Sequence, residues 1–199
     1  MKKVSKRTSP LKKVVHDKAL SVAWVYKKGI ATLMDGKVEL ISIDLHKKSK
    51  SAIHLGKSIF EISNKGYWNP KTIIERKNKK IAFLNRNIWD NIATLHFPDE
   101  SYFEFHVYHH PTLILIISLK DGTEICSFQL LSAKPKLIKF TTKEVYTKSE
   151  KHLLILGLGQ FVFQGIVKEY HIGHETRDAA KNNENKEGQV LRKIVRAKA

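Results

Sequence analysis

The chain of 199 residues carries a formal net charge of +17 at pH 7, and 42% of its residues are hydrophobic. That length and composition suit one domain, or two small ones, with a real core. The single cysteine, Cys126, excludes a disulfide framework within the chain and fits a reducing compartment; in its alternating surroundings it reads as a small buried strand residue. The apolar stretch "ALSVAWVY" after the basic start is barely long enough for a secretory signal and lacks a small-residue cleavage site, so the protein reads as cytoplasmic, or as peripheral to a membrane.

Residues 1–18 carry Lys2, Lys3, Lys6, Arg7, Lys12, Lys13 and Lys18 against Asp17 alone, which predicts a flexible basic arm. From about Leu20 to Lys143 the chain reads as ten to twelve short strands. "SYFEFHVYH" sets Phe103, Phe105 and Val107 on one face and Tyr102, Glu104, His106 and Tyr108 on the other, and "NIATLHF" sets Ala93, Leu95 and Phe97 together; both have the period of two of a half-buried strand. "TLILIISL" is apolar on both faces, as in a strand that is covered twice or has a hydrophobic exterior. Asp35-Gly36 and Asp121-Gly122 are hairpin signals, and Lys77 to Lys80 and Phe97 to Glu100 are further turns. Ser58–Phe83 and Ser101–Phe128 echo one another: S-x-F-E, a bulky turn with proline, an Ile-Ile strand, a polar turn and a strand ending in phenylalanine. The echo suggests two copies of one antiparallel unit in a single sheet system.

The most apolar run, "LLILGLGQFVFQGIV" from Leu153 to Val167, lies near the end of the chain. As a helix it would rise only about 22 Å, short of the roughly 30 Å of hydrocarbon that a membrane span must cross. On a helical wheel its large side chains occupy nearly the whole circumference, leaving a narrow stripe of Gly157, Gln160 and Gln164. A helix of this kind must be buried on all sides, since each large apolar side chain left in water would forfeit about 1.5–3 kcal/mol. A barrel of about twelve strands has an interior wide enough to hold it and has no exposed edges. The expected architecture is therefore mainly β, a closed antiparallel barrel over residues 19–170 enclosing a hydrophobic helix at 150–168. Leu153, Leu154, Leu156, Phe161, Phe163 and Ile166 form its core face. The helix glycines would let the barrel wall approach closely, and the buried Gln160 and Gln164 would need hydrogen-bond partners. Residues 171–199 read as a polar linker followed by a basic amphipathic tail, "VLRKIVRAKA", with Arg192, Lys193, Arg196 and Lys198 among apolar residues.

The order of these features, with "GYW-NPK" (Gly66 to Lys71), "IAF", "DE-SYFEF", "LKDGTEICSF" and a final hydrophobic helix, resembles the tubby-like barrels. That superfamily includes the plant LURP-one-related proteins, the phospholipid scramblases and many bacterial proteins. The resemblance covers roughly Trp24 to Tyr170 and implies a barrel of about twelve strands around a C-terminal apolar helix, acting as a binding module rather than an enzyme. Tubby proteins bind phosphoinositide headgroups and scramblases contact membrane lipid. No lysine of this chain matches the tubby lipid-binding residues one by one. The acidic calcium-binding segment of the scramblases has no counterpart after Tyr170.

Catalytic chemistry finds little support in the sequence. His96, His106, His109 and His110 lie close together, and His171 and His174 follow the apolar run, but strand parity separates them and no HExxH or CxxC pattern is present. There is no GxSxG elbow, and the glycines of "GLGQFVFQG" do not fit a phosphate loop. No catalytic residue, metal, cofactor or small-molecule substrate is expected. The expected partner is an anionic lipid surface or a nucleic acid, with a protein partner also open. The candidate anion-binding residues are Lys2, Lys3, Lys6, Arg7, Lys12, Lys13, Arg76, Lys77, Lys79, Lys80, Arg192, Lys193 and Arg196. Trp24, Trp68 and Trp89 are candidate interface or base-stacking aromatics, with packing at the barrel rim as the plainer role.

Overall fold

A computed structural model describes residues 22–45, 50–65, 71–86, 91–109, 111–132 and 137–168. The segment expected as a basic arm, residues 66–70 with Trp68, Trp89, His110 and everything after Lys168 lie outside the described residues. Twelve strands follow in order: β1 (Val22–Lys27), β2 (Ile30–Asp35), β3 (Val38–Asp44), β4 (Lys50–Leu55), β5 (Ser58–Lys65), β6 (Lys71–Arg76), β7 (Lys79–Arg86), β8 (Ile92–His96), β9 (Tyr102–Tyr108), β10 (Ile114–Leu119), β11 (Glu124–Ser132) and β12 (Leu137–Thr142). A short 3-10 turn, Glu144–Thr147, leads into helix α1, residues 150–168. Each strand pairs antiparallel with the next, so the sheet is one continuous meander. It curls into a nearly closed barrel whose hydrogen-bonded order begins at β1 and ends at β12. At that seam Trp24 of β1 meets Phe140 of β12 edge to face, ring centroids 6.1 Å apart. Aromatic side chains thus meet where the two ends of the sheet come together, in the barrel of about twelve strands that the sequence predicts.

Local sequence sets the turns. Gly36 and Gly122 have positive φ (58° and 82°), as do Lys77 and Asn78 (49° and 61°); these are the signatures of tight hairpins whose twist matches that of the strands. The two echoing segments become β5–β7 and β9–β11, each a three-strand meander, with Phe60 and Phe103 in equivalent buried positions. The structure extends the echo to a third unit through its bulges. Leu33 pairs with Ile41 and Met34 with Glu39, leaving Leu40 outside the register. In the same way Ile81 is left out between the Ile74–Ala82 and Glu75–Lys80 pairs, and Ile125 between Ile117–Cys126 and Ser118–Glu124. The bulges thus recur on β3, β7 and β11, shortly after the hairpin that precedes each strand. A bulge bends its strand and raises its twist, so the spacing distributes the curvature that closing the sheet requires. One consequence is that the neighbours Ile125 and Cys126 are both buried, which plain alternation would forbid; the Thr142 hydroxyl donates to the Ile125 carbonyl at 2.9 Å.

Helix α1 runs through the barrel from the end where β12 finishes. Leu154, Ile155, Leu156, Leu158, Val162, Phe163, Ile166 and Val167 are buried against wall residues that include Ile41, Ile53, Ile117 and Phe128, and Phe163 stacks on Phe128 with ring centroids 5.5 Å apart. Leu153 and Phe161 are half-buried, while Gly165 and Lys168 are exposed. Phe161, Gly165 and Lys168 follow i, i+4, i+7 spacing, so the helix expected to be buried on all sides is partly open along this stripe, while Gly157, Gln160 and Gln164 are buried. No helix among the described residues is long and apolar enough to cross a membrane. The wall reaches the helix most closely at two glycines. A methyl group on Gly159 would sit 2.5 Å from Ile117 Cδ1 and 2.9 Å from Phe128 Cε2, and one on Gly157 would sit 3.0 Å from Ile53 Cγ2; at Gly165 there is nothing within 4 Å.

Alanine substitution should therefore have opposite signs at two glycines of one helix. Gly165→Ala gains helix propensity of up to about 1 kcal/mol. Gly159→Ala gains the same propensity but overpacks the core at a cost of about 1–3 kcal/mol, and is expected to be the less stable protein by chemical denaturation. Equal effects at both sites would show that the wall does not press on Gly159.

Candidate functional site at the mouth of the barrel

Antiparallel order places the β2–β3, β4–β5, β6–β7, β8–β9 and β10–β11 hairpins at the end where α1 enters. The first turn of the helix is tied to this mouth by two ion pairs. The Arg76 guanidinium lies 3.2 Å from the Glu150 carboxylate and donates to the Ser58 hydroxyl at 2.8 Å. The Lys151 ammonium donates to Asp99 at 2.7 Å and to the Ser101 hydroxyl. Asp99 sits in the Phe97–Glu100 turn and also accepts from the Ser101 backbone N–H at 3.2 Å. The Lys151 hydrogen bond, then that of Ser101, holds the Asp99 carboxyl down to about 2. At the start of the helix Ser149 accepts from the His152 N–H at 3.1 Å, capping one orphan donor.

Between these pairs lies a cleft of about 320 Å³, lined by Phe60, Ile81, Phe97, Pro98 and Leu154 on its apolar side and by Arg76, Asp99, Glu150 and Lys151 on its charged side. Both cations stand over aromatic rings: Arg76 is 5.4 Å from the Phe60 centroid, and Lys151 is 4.6 Å from that of Phe97. Ile81 lines the cleft because it is the residue left out of register on β7.

Of the expected anion-binding residues, Arg76, Lys77, Lys79 and Lys80 lie together on the β6–β7 hairpin. With Lys71 and Arg86 they face only Glu75 as an acid between residues 71 and 86. Arg76 differs from the rest in turning into the mouth. Lys2, Lys3, Lys6, Arg7, Lys12, Lys13, Arg192, Lys193 and Arg196 lie outside the described residues. The described barrel carries only a modest positive excess, and most of the net charge belongs to the remainder of the sequence.

His96 and His106 lie on the same outer face but at different points along the sheet, His106 opposite Ile92 and His96 opposite Tyr102. His106 contacts Glu104 at 3.0 Å, and His96 stacks on Phe83 with centroids 4.8 Å apart. Among the described residues no three of His, Cys, Asp and Glu come together as a metal site. Cys126 is buried, and burial pushes its thiol well above the ordinary range. Trp24 is buried, in the plainer packing role, against Phe140. The row Phe83–His96–Tyr102 crosses β7, β8 and β9, with Lys80 4.4 Å from the Phe83 centroid and Lys120 5.4 Å from that of Tyr102.

The barrel interior holds a polar group as well. Gln164 donates to the Tyr26 hydroxyl at 3.4 Å. Burial pushes the Tyr26 phenol up to about 12, with the neighbouring Gln160 and Gln164 amides pulling it partly back. Gln160 is fully buried, and neither atom of its amide closes a hydrogen bond with a described residue. Hydrogen bonding of both glutamines to the lining was the expectation; Gln164 meets it at Tyr26, whereas Gln160 approaches the same hydroxyl without closing a hydrogen bond. No family model, no curated protein and no solved structure matches the chain.

Gln160→Met should raise the unfolding free energy by about 1–3 kcal/mol in urea denaturation, because it removes two unsatisfied buried groups at similar volume. A loss of stability would mean that the amide has a partner. For Asp99, the folded-state value lies below the ordinary 3.8, so its stabilisation is complete above about pH 4 and is lost as the pH falls toward 2. The difference in melting temperature between wild type and Asp99→Asn is therefore expected to be constant from pH 7 to 5 and to close toward pH 2. A difference unchanged at pH 2 would contradict the pairing with Lys151.

Proposed function

We propose that the protein is a non-enzymatic binding module for the anionic surface of a membrane, docking through the end of the barrel where α1 enters. The observation that carries this reading is the β6–β7 hairpin. Its cations Lys77, Lys79 and Lys80 project at the same end as the exposed apolar side chains Val38, Ile59 and Val145, which are 62%, 50% and 59% exposed. Basic hairpin tips interleaved with branched apolar residues combine attraction to acidic lipid with shallow insertion. The resemblance to the tubby-like barrels points the same way, and the basic arm and tail of the sequence would add to the attraction.

The row Phe83–His96–Tyr102 with its flanking lysines favours a second reading, a single-stranded nucleic acid whose bases stack while its phosphates meet lysine. Co-sedimentation of the full chain with neutral and acidic liposomes, with a short RNA as competitor, separates the two. Retention on acidic liposomes at physiological salt, undisturbed by RNA, is the expected result. Lys77→Gln with Lys79→Gln should weaken it by roughly thirtyfold, at about 1 kcal/mol per lysine. RNA binding that acidic liposomes do not compete away would replace the membrane reading with the nucleic-acid one.

A further inference from the structure

The geometry points to the cleft at the mouth of the barrel as a binding site for a single amphiphile with an anionic head, a carboxylate or a phosphate. The head pairs with Arg76 and Lys151, while its alkyl or aryl part lies on Phe60, Ile81, Phe97 and Leu154. The inference deepens the membrane reading, and it rests on that reading for the source of its ligand.

Four observations converge. The cleft has the size of a small-molecule pocket and is mainly apolar with a few polar groups at one edge, the usual composition of such a site. Its apolar floor depends on the β7 bulge, which leaves Ile81 outside the regular register. The two cations are held at the edge by aromatic rings, so they are positioned before a ligand arrives. Their present partners, Glu150 and Asp99, are 50% and 63% exposed, and ion pairs this open to water are exchanged at little cost. A phosphate or carboxylate offers a guanidinium two parallel hydrogen bonds, where Arg76 now has one contact to Glu150 and one to Ser58. The positive end of the α1 dipole lies at the same rim and favours an anion there. An uncharged amphiphile would leave the existing pairs in place, and a cationic head would have to stand beside Arg76, Lys151 and the positive end of α1 to reach the same acids.

Isothermal titration of the full-length chain with octyl phosphate, kept below its micelle concentration, tests the site. Octanol and octyltrimethylammonium serve as head-group controls, and acidic vesicles form a parallel arm. The expected result is saturable binding of one octyl phosphate, at least tenfold weaker for either control. Arg76→Gln should weaken it at least tenfold, and Ile81→Trp, which fills the floor, should abolish it. Lys143→Gln, at the same end but away from the cleft, should change it less than twofold. If Arg76→Gln does not fold, Ile81→Trp decides. Absence of saturable binding, equal binding of all three probes, or indifference to Ile81→Trp would overturn the inference. Vesicle binding without octyl phosphate binding overturns the cleft and leaves the membrane reading standing. Octyl phosphate binding without vesicle binding supports the cleft and removes that reading.

Discussion

The helix and the barrel each have a requirement that the other meets. A helix that is apolar around nearly its whole circumference is unstable in water, and a barrel of twelve strands has an interior too wide for its own side chains to fill. Burying α1 against Ile41, Ile53, Ile117 and Phe128 satisfies both at once. The other features accompany that fit: glycine where the wall presses on the helix, bulges that shape the wall, and ion pairs where the first helical turn meets the hairpins.

The same fit explains why the mouth carries the chemistry. The β3, β7 and β11 bulges put extra apolar side chains near the end where the helix enters, and the β6–β7 and β8–β9 hairpins bring Arg76 and Asp99 to meet Glu150 and Lys151. What stabilises the entry of the helix also forms an apolar cleft with a charged edge. Deeper inside, Gln160 works against the packing. A fully buried amide that closes no hydrogen bond with a described residue is a local conflict in the core, as is the buried Trp24 indole N–H, and such conflicts concentrate at sites kept for a reason other than stability.

The sequence made the main architecture legible because it rests on short-range signals. The two-residue alternation around Phe103 and Phe105, the Asp-Gly turns and the all-round apolar run were enough to specify strands, hairpins and a wrapped helix. The basic β6–β7 hairpin could be read as a charge run. The cleft could not, since it joins residues as distant as Phe60, Phe97 and Leu154. Nor could its ion pairs, in which Lys151 meets Asp99 across 52 positions. The bulges were equally hidden: Leu40, Ile81 and Ile125 are ordinary strand residues until the register of the neighbouring strand is known. The partly open stripe of the helix, Phe161, Gly165 and Lys168, was hidden for a related reason. Composition marked Gly157, Gln160 and Gln164 as its polar side, but orientation follows from contacts with the wall, and Gly157 is needed there for close approach.

The barrel is a frame that carries the basic β6–β7 hairpin and the cleft at the end where α1 enters, and the shape of that end depends on the helix staying within the barrel. Native-state amide hydrogen exchange of the helix measures this directly. Amides of residues 154–164 should exchange only through global unfolding, with the same protection as those of Ile41, Phe105 and Phe128 in the wall. Helix amides that exchange orders of magnitude faster while the wall remains protected would show that the helix leaves an intact barrel, and would contradict the account of α1 as its core.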